Sequence, residues 1–252
     1  MSYLRKYFGS NERLVFFIVL LTCFLHSCKK EVNEAVLPKN ILADTVWQPL
    51  YTSYWQEYQI DSTFYYKDKD DTTINISSSK SFQKIVVGKP IISFGLNNDY
   101  ELEYWYKKEV NSPYTLLKVN RIRRENNLFI LTENNLSFIK LMLPITQDFS
   151  WKGNRMISTD APFEFYKDWV YKYKDLNKSL TLPILFFNKT VKVEQIDDSN
   201  LIEKRYAAEW YVEQIGMVYQ EIYDVKKQNP LNGWDKPENG YIVKKQIIDW
   251  KK

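Results

Sequence analysis

The chain has 252 residues, and its 35 Lys and Arg residues nearly balance its 31 Asp and Glu residues, giving a formal net charge of +4. Both cysteines and the single histidine lie at the N-terminus, as Cys23, His26 and Cys28. If that segment is removed, the remainder has no imidazole, which excludes Ser-His-Asp and Cys-His catalysis and most zinc sites. The seven glycines are also too widely spaced for a glycine-rich phosphate-binding motif.

The first predicted element is a leader that covers residues 1–27. Basic residues precede a run at positions 14–25 in which only Thr22 is polar. This run is shorter than the roughly 20 apolar residues of a membrane-spanning helix. It is typical of the apolar core of a secretory signal peptide, so we expect the leader to be cleaved.

The end of the leader carries a second motif. Leu25-His26-Ser27-Cys28 resembles the lipobox of bacterial lipoprotein precursors, in which Leu and a small residue precede the modified Cys. The resemblance implies cleavage before Cys28 and acylation of its sulfur and amine, which makes Cys28 the predicted lipidation site. Because several acyl chains anchor a protein stably, we expect the chain to be attached to a membrane of the cell envelope, with the outer membrane as the predicted location. The alternative is that Cys28 is an ordinary small residue near a signal-peptidase site.

The charge of the mature chain bears on its partners. The leader removes three basic residues and one acidic residue, which leaves 32 basic against 30 acidic residues. A balance this even offers no electrostatic basis for binding nucleic acid, so we expect no nucleic-acid partner.

Residues 28–40 are mostly polar and include Pro38, a composition typical of a tether. We predict a single β-rich domain over residues 41–252, although length alone also allows two small domains.

Alternation of apolar and polar residues predicts half-buried strands along this domain. The alternation appears at residues 58–66, 100–106, 163–173 and 191–193, and turn signals such as Asn126-Asn127 and Asn134-Asn135 separate the runs. The pattern predicts a mainly β (or α+β) fold: an antiparallel sheet, sandwich or half-open barrel rich in aromatic residues. Residues 202–212 fit a short helix and a strand equally well.

Aromatic residues are concentrated near the start of the domain and in the run at 163–173. They include Trp47, Tyr51, Trp55 and Trp169, which we predict as binding residues for a protein, glycan or lipid ligand. The alternative is a purely structural role, in which these side chains form the core and its cross-strand pairs. The usual composition of β-sheets favours this alternative.

Two groups of charged residues are weaker candidates. Lys118 and three arginines form a basic run at residues 118–124, which is either an anion site or the solvated end of a strand. Glu101 and Glu103 share a predicted strand face within about 7 Å of each other. Such a carboxylate pair can hydrolyse glycosides without histidine, but a solvated strand edge is the simpler interpretation.

Two short segments resemble known proteins. Residues 151–154 and 215–221 are similar to segments that recur in uncharacterised β-rich lipoproteins of Bacteroidetes-type bacteria. The resemblance implies an envelope protein without an assigned activity. Within these segments, Gly153 and Gly216 are predicted to supply a positive φ angle or a close backbone approach.

The sequence therefore predicts a membrane-anchored binding or assembly accessory of the envelope, with no cofactor, no metal ligand and no assigned catalytic residue. Two alternatives stay open: a carrier of an apolar ligand in a half-open barrel, and a carboxylate-based hydrolase. A deep apolar cavity would favour the carrier, and an exposed aromatic patch would favour the binding module. Two acids in a cleft, one with a raised pKa, would favour the hydrolase.

Overall fold

The structure is a computed structural model that describes residues 47–67, 73–92, 99–158, 160–229, 231, 233–234 and 237–251. The leader, Cys28 and the predicted tether lie outside the described residues, so their assignments stay predictions.

Strands account for nearly all of the regular structure in the described residues. They are β1 (Trp55–Tyr66), β2 (Asn75–Pro90), β3 (Asp99–Lys107), β4 (Thr115–Glu125), β5 (Leu128–Glu133), β6 (Leu136–Met142), β7 (Ser150–Trp151), β8 (Tyr171–Thr181), β9 (Phe186–Ser199), β10 (Glu203–Val212), β11 (Gly216–Lys226) and β12 (Asn239–Trp250). A short 3-10 helix, Glu164–Tyr166, lies between β7 and β8. In the described part of the chain, no helix has the length and apolar composition of a membrane span.

All twelve strands form one antiparallel sheet in the order β6-β5-β4-β3-β2-β1-β12-β11-β10-β9-β8-β7. Consecutive strands pair with each other except β6 and β7, which form the two edges of the sheet, and the first strand pairs with the last, with Gln56 opposite Trp250. The sheet curls so that its two edges approach each other, and the Ile139 amide donates to the Gly153 carbonyl at 2.7 Å. The result is a nearly closed barrel, which confirms the predicted mainly β fold and leaves little exposed strand edge.

Aromatic side chains join these two edges. The Trp151 indole nitrogen donates to the Ile139 carbonyl at 2.9 Å. The Tyr173 hydroxyl donates to the Met142 carbonyl at 2.8 Å and accepts from the Met142 amide at 2.9 Å. The rings of Trp151 and Tyr173 lie 4.6 Å apart. We call this group of contacts, made by Ile139, Met142, Trp151 and Tyr173, the seam.

Asparagine turns set the register of the hairpin next to the seam. Asn134 and Asn135 have φ angles of 51° and 63° and connect β5 directly to β6. Positive φ at both central residues is the conformation of a type I′ hairpin turn, for which asparagine is well suited. The predicted turn is therefore confirmed at these two residues.

Both glycines singled out in the sequence have the predicted roles. A β-carbon on Gly153 would lie 2.5 Å from the ring of Tyr171, so only glycine allows the ring to pack there. Gly216 has a φ angle of +93°, which places the start of β11 in a conformation that favours glycine.

Two segments differ from or refine the strand predictions. The run at 163–173 is not one strand, because a tight turn begins at Phe163. The Phe163 carbonyl accepts a hydrogen bond from the Tyr166 amide at 3.0 Å. The strand starts only at Tyr171. Residues 203–212, which fit helix and strand equally, form β10, because pairing with β9 and β11 on both sides outweighs the helix preference of Ala207 and Ala208.

Candidate functional site

The barrel strands line a partly open cavity of about 290 Å³, close to the lower end of the size range of ligand pockets. Strands β1 to β6 and β10 to β12 line it, together with residues just before β1. Apolar side chains make up much of the wall: Ile60, Ile85, Val87, Leu102, Ile122, Phe129, Leu131, Leu141, Met217 and Val243.

The period of two in each strand decides which side chains reach this cavity. On β12, Val243 and Lys245 line the cavity, while Lys244 between them is exposed on the outer surface. On β3, Leu102 and Tyr104 line it. Alternate side chains of a strand point to opposite faces, so one strand supplies both the lining and the outer surface.

A buried carboxylate organises one side of the cavity. Glu209 on β10 is 1 % exposed, and its Oε1 lies 2.5 Å from Lys140 Nζ and 2.8 Å from Gln220 Nε2. Its Oε2 accepts from the Tyr211 hydroxyl at 2.7 Å. Burial by itself raises the pKa of Glu209, but the charge and hydrogen bond of Lys140 and the hydrogen bond of Tyr211 outweigh burial and lower that pKa below its ordinary value. The carboxylate is therefore charged at neutral pH.

A second ion pair lies in a more exposed part of the lining. Lys118 on β4 pairs with Glu133 on β5, and both side chains are about one third exposed, at 32 % and 33 %. Lys118 Nζ also lies 5.2 Å from the ring of Tyr104.

Lys245 differs from the other two lysines of the lining. It is 7 % exposed, and its Nζ donates to Gln83 Oε1 at 2.6 Å and lies 4.3 Å from the ring of Tyr58. Burial lowers the pKa of Lys245 to about 7, although the nearby charges of Glu209 and Glu133 act in the opposite direction. An amino group with this pKa is protonated or neutral depending on small changes in its surroundings.

Three polar side chains attach the turn before β11 to one part of the lining. The Tyr54 hydroxyl donates to the Ile215 carbonyl and the Tyr58 hydroxyl to the Met217 carbonyl, both at 2.7 Å. Gln56 Nε2 donates to both carbonyls, at 2.8 and 3.0 Å. The segment that resembles Bacteroidetes-type lipoproteins at 215–221 thus includes part of the cavity wall.

None of the four aromatic residues predicted to bind a ligand lines the cavity. Tyr51 is 48 % exposed and its ring lies 5.1 Å from that of Tyr54. Trp55 lies under Lys84, whose Nζ is 4.2 Å from the ring. Trp47 packs against the core.

Trp169 lies in a separate aromatic group, 5.3 Å from Tyr166 and 6.5 Å from Tyr171. Among the described residues, no ring contact joins it to Trp47, Tyr51 or Trp55. A binding role for these four residues stays a prediction.

The charged candidates also lie apart from the cavity, with the exception of Lys118. In the basic run, Arg121 pairs with Asp99, and Arg123 lies 3.0 Å from Glu125. These pairs favour the interpretation of a charged strand over that of an anion site.

The two predicted carboxylates of a hydrolase do not face the cavity either. Glu101 and Glu103 alternate along β3 with the cavity-lining Leu102 and Tyr104. Glu103 Oε2 accepts from the indole nitrogen of Trp105 at 2.9 Å.

Sequence reasoning missed Lys140, Glu209 and Lys245. A signal existed for Lys245, because it shares its strand parity with the apolar Val243 and Ile247. A charged residue at an inward position of an otherwise apolar face indicates a buried polar site. No comparable signal marks Glu209, because β10 has an irregular register between Ala207 and Ala208.

No protein-family model matches the sequence, and no curated protein matches it significantly. Among solved structures, the chain is similar to a Bacteroides fragilis protein provisionally described as exported, with a YmcC-like fold. The alignment has 14% identity and a TM-score of 0.37, and it covers 82% of this chain and 99% of that one.

The chain is also similar to a protein from Parabacteroides distasonis that is provisionally described as a lipoprotein, with 15% identity and a TM-score of 0.35, over 82% of this chain and 99% of that one. Both TM-scores lie below 0.5, which is too low to transfer a function.

Proposed function

We propose that the protein is a lipid-anchored binding module of the cell envelope that holds a small amphiphilic ligand inside its barrel. The observation that carries the proposal is the cavity of about 290 Å³, whose wall combines apolar side chains with a few charged and amide groups. Ligand sites commonly have this composition, because apolar walls provide affinity and a small number of polar groups orient the ligand.

The polar lining separates this proposal from a purely apolar carrier. Burying charged groups costs free energy unless they are paired, so an apolar cargo alone gives no reason for lysines and glutamates in the wall. Lys140, Glu209 and Lys245 all line the cavity. A ligand with both an apolar body and a polar group matches such a wall.

Hydrolysis by paired carboxylates fits the cavity less well. A general acid in a glycosidase needs a raised pKa, so that it holds its proton at neutral pH. The pKa of Glu209 is lowered, and Glu133 forms an ion pair with Lys118. The envelope location in this proposal rests on the predicted leader and on the motif ending at Cys28 that resembles a lipobox.

Native mass spectrometry of the full chain, extracted from membranes in a mild detergent, tests the proposal. We expect one small molecule bound per chain. Val243→Phe places a larger side chain in the cavity and should remove that molecule. Ile242→Phe is the matched control, because Ile242 is the neighbouring residue on β12 and does not line the cavity. A wild-type chain with no bound molecule, or equal loss in both variants, would contradict the proposal.

A further inference from the structure

We propose that the ligand of the cavity carries a single negative charge, which Lys245 binds, and that its remaining body is uncharged and apolar. This inference rests on the proposed function, because it assigns the chemistry of a ligand in the same cavity.

The charges of the lining are not balanced. Among the described residues that line the cavity, the charged ones are Lys118, Lys140, Lys245, Glu133 and Glu209. Lys118 pairs with Glu133 and Lys140 with Glu209. No carboxylate of the described residues lies within ion-pair distance of Lys245, so the protonated lining has one surplus positive charge.

Lys245 also has unused hydrogen-bonding capacity. A protonated lysine has three N–H donors. Among the described residues, Gln83 Oε1 is the one hydrogen-bond acceptor of its Nζ, while the ring of Tyr58 covers one side at 4.3 Å. Two donors therefore remain for a ligand in the cavity that Lys245 lines.

The rest of the wall limits the class of ligand. Apolar side chains from β2, β3, β5 and β12 surround the cavity, so the part of the ligand beyond its charge must be apolar. A second negative charge would face Glu209 or Glu133 without a free cation. The volume of about 290 Å³ allows only a small molecule. A monocarboxylate with a short hydrocarbon body meets all three conditions.

Binding of such an anion should depend on pH in a defined direction. The other titratable side chains of the lining are Tyr54 just before β1, Tyr58 on β1, Tyr104 on β3, Lys118 on β4, Glu133 on β5, Lys140 on β6, and Glu209 and Tyr211 on β10. Burial raises the pKa of all four tyrosines, and that of Glu209 is lowered by Lys140 despite its burial. The tyrosines stay neutral and Glu209 stays charged between pH 6 and pH 9, whereas Lys245 loses its proton above about pH 7.

Calorimetry with octanoate and 1-octanol tests the inference on the full chain in lipid nanodiscs, with empty nanodiscs as the blank. Octanoate is ionised throughout this pH range, because carboxylic acids titrate near pH 4. We expect octanoate to bind at least about tenfold more tightly at pH 6 than at pH 9, with uptake of a proton above pH 7. The affinity of 1-octanol should be independent of pH.

Two neighbouring lysine variants give the matched comparison. Lys245→Met should weaken octanoate binding at pH 6 by about tenfold or more, abolish its pH dependence and leave 1-octanol binding intact. Lys244→Met changes the exposed neighbour and should behave as wild type. If Lys245→Met does not fold, the pH dependence and proton uptake of the wild-type chain still decide the question.

The outcomes separate this inference from the proposed function. Octanoate binding that is independent of pH, or equal in Lys245→Met and wild type, overturns the inference. Binding of 1-octanol without binding of octanoate also overturns the inference but keeps the cavity as a ligand site. If neither probe binds, the molecule found by native mass spectrometry decides: a monoanion supports the inference and a neutral molecule overturns it. No bound molecule and no probe binding overturn both proposals.

Discussion

The carboxylate of Glu209 is buried, because only 1 % of the residue is exposed to solvent. Its charge is maintained by Lys140, Tyr211 and Gln220, which together occupy both of its oxygens. Removing one member of a buried pair leaves the other charge uncompensated, which is more destabilising than the pair itself is stabilising.

We therefore predict that Lys140→Met lowers the free energy of unfolding by about 3 kcal/mol at pH 7. In the wild type, the folded-state pKa of Glu209 is lowered, so its stabilisation is present above the unfolded-state pKa and is lost as the pH falls through the folded-state pKa. Without Lys140, burial acts alone and favours the protonated acid. The difference in the free energy of unfolding between wild type and variant should therefore be smaller at pH 4 than at pH 7. Urea denaturation at both pH values measures this difference.

Lys226→Met provides the control for this change. Lys226 pairs with Glu203 at 2.7 Å, but the two side chains are 60 % and 40 % exposed. Exposed pairs contribute at most about 1 kcal/mol, so this variant should stay close to the wild type at both pH values. Equal losses in the two variants would contradict a special role for the Lys140–Glu209 pair.

At the scale of elements, the seam joins the two edges of the twelve-stranded sheet. Tyr171 and Tyr173 lie on the same face of β8 and are both buried, at 1 % and 0 % exposure. Only the hydroxyl of Tyr173 reaches across the seam, where it makes two hydrogen bonds with the backbone of Met142. For Tyr171, no hydrogen bond of the hydroxyl is found within the described part of the chain.

We predict that Tyr173→Phe destabilises the protein by about 2 kcal/mol, because it removes both hydrogen bonds and leaves buried backbone groups unsatisfied. Tyr171→Phe should cost less than about 0.5 kcal/mol, since its ring packing is kept. Denaturant unfolding gives the free energies, and hydrogen exchange at the Met142 amide reports the seam directly. The prediction fails if the two variants lose the same stability or if exchange at Met142 is unchanged in Tyr173→Phe.

Individual elements were predictable where the deciding chemistry is local. The turn at Asn134 and Asn135 follows from the tolerance of asparagine for positive φ, and the buried Val191 and Val193 follow from alternation along one strand. The run at 163–173 was predicted wrongly as a single strand. Apolar residues alternate along this run as they do in a strand, but the hydrogen bonds of a tight turn at Phe163 compete with pairing to a neighbouring strand.

For the whole molecule, the predicted lipid anchor determines where we expect the barrel to operate. In this prediction, Cys28 carries the acyl chains, and residues 28–40 connect them to the domain predicted over 41–252. Attachment of this kind raises the local concentration of the module at the membrane.

We predict that Cys28→Ala stays in the soluble fraction or remains uncleaved, because the acylated residue is lost. Membrane fractionation combined with labelling by a fatty-acid analogue measures this outcome, and Ser27→Ala serves as a control that keeps a small residue before the modified Cys. Normal labelling of Cys28→Ala, or an intact leader on the purified native chain, would refute the anchor.

The fold class, the hairpin turns and the roles of Gly153 and Gly216 could be predicted from sequence, because alternation, turn chemistry and the absence of a β-carbon act within a few residues. The sequence also removed imidazole chemistry from the chain beyond Cys28. The pairing of β1 with β12 and the meeting of the two sheet edges could be seen only in the folded chain. These long-range pairings bring Lys140, Glu209 and Lys245 from distant parts of the chain to one cavity, since the closing of a sheet depends on the twist and register of all its strands together.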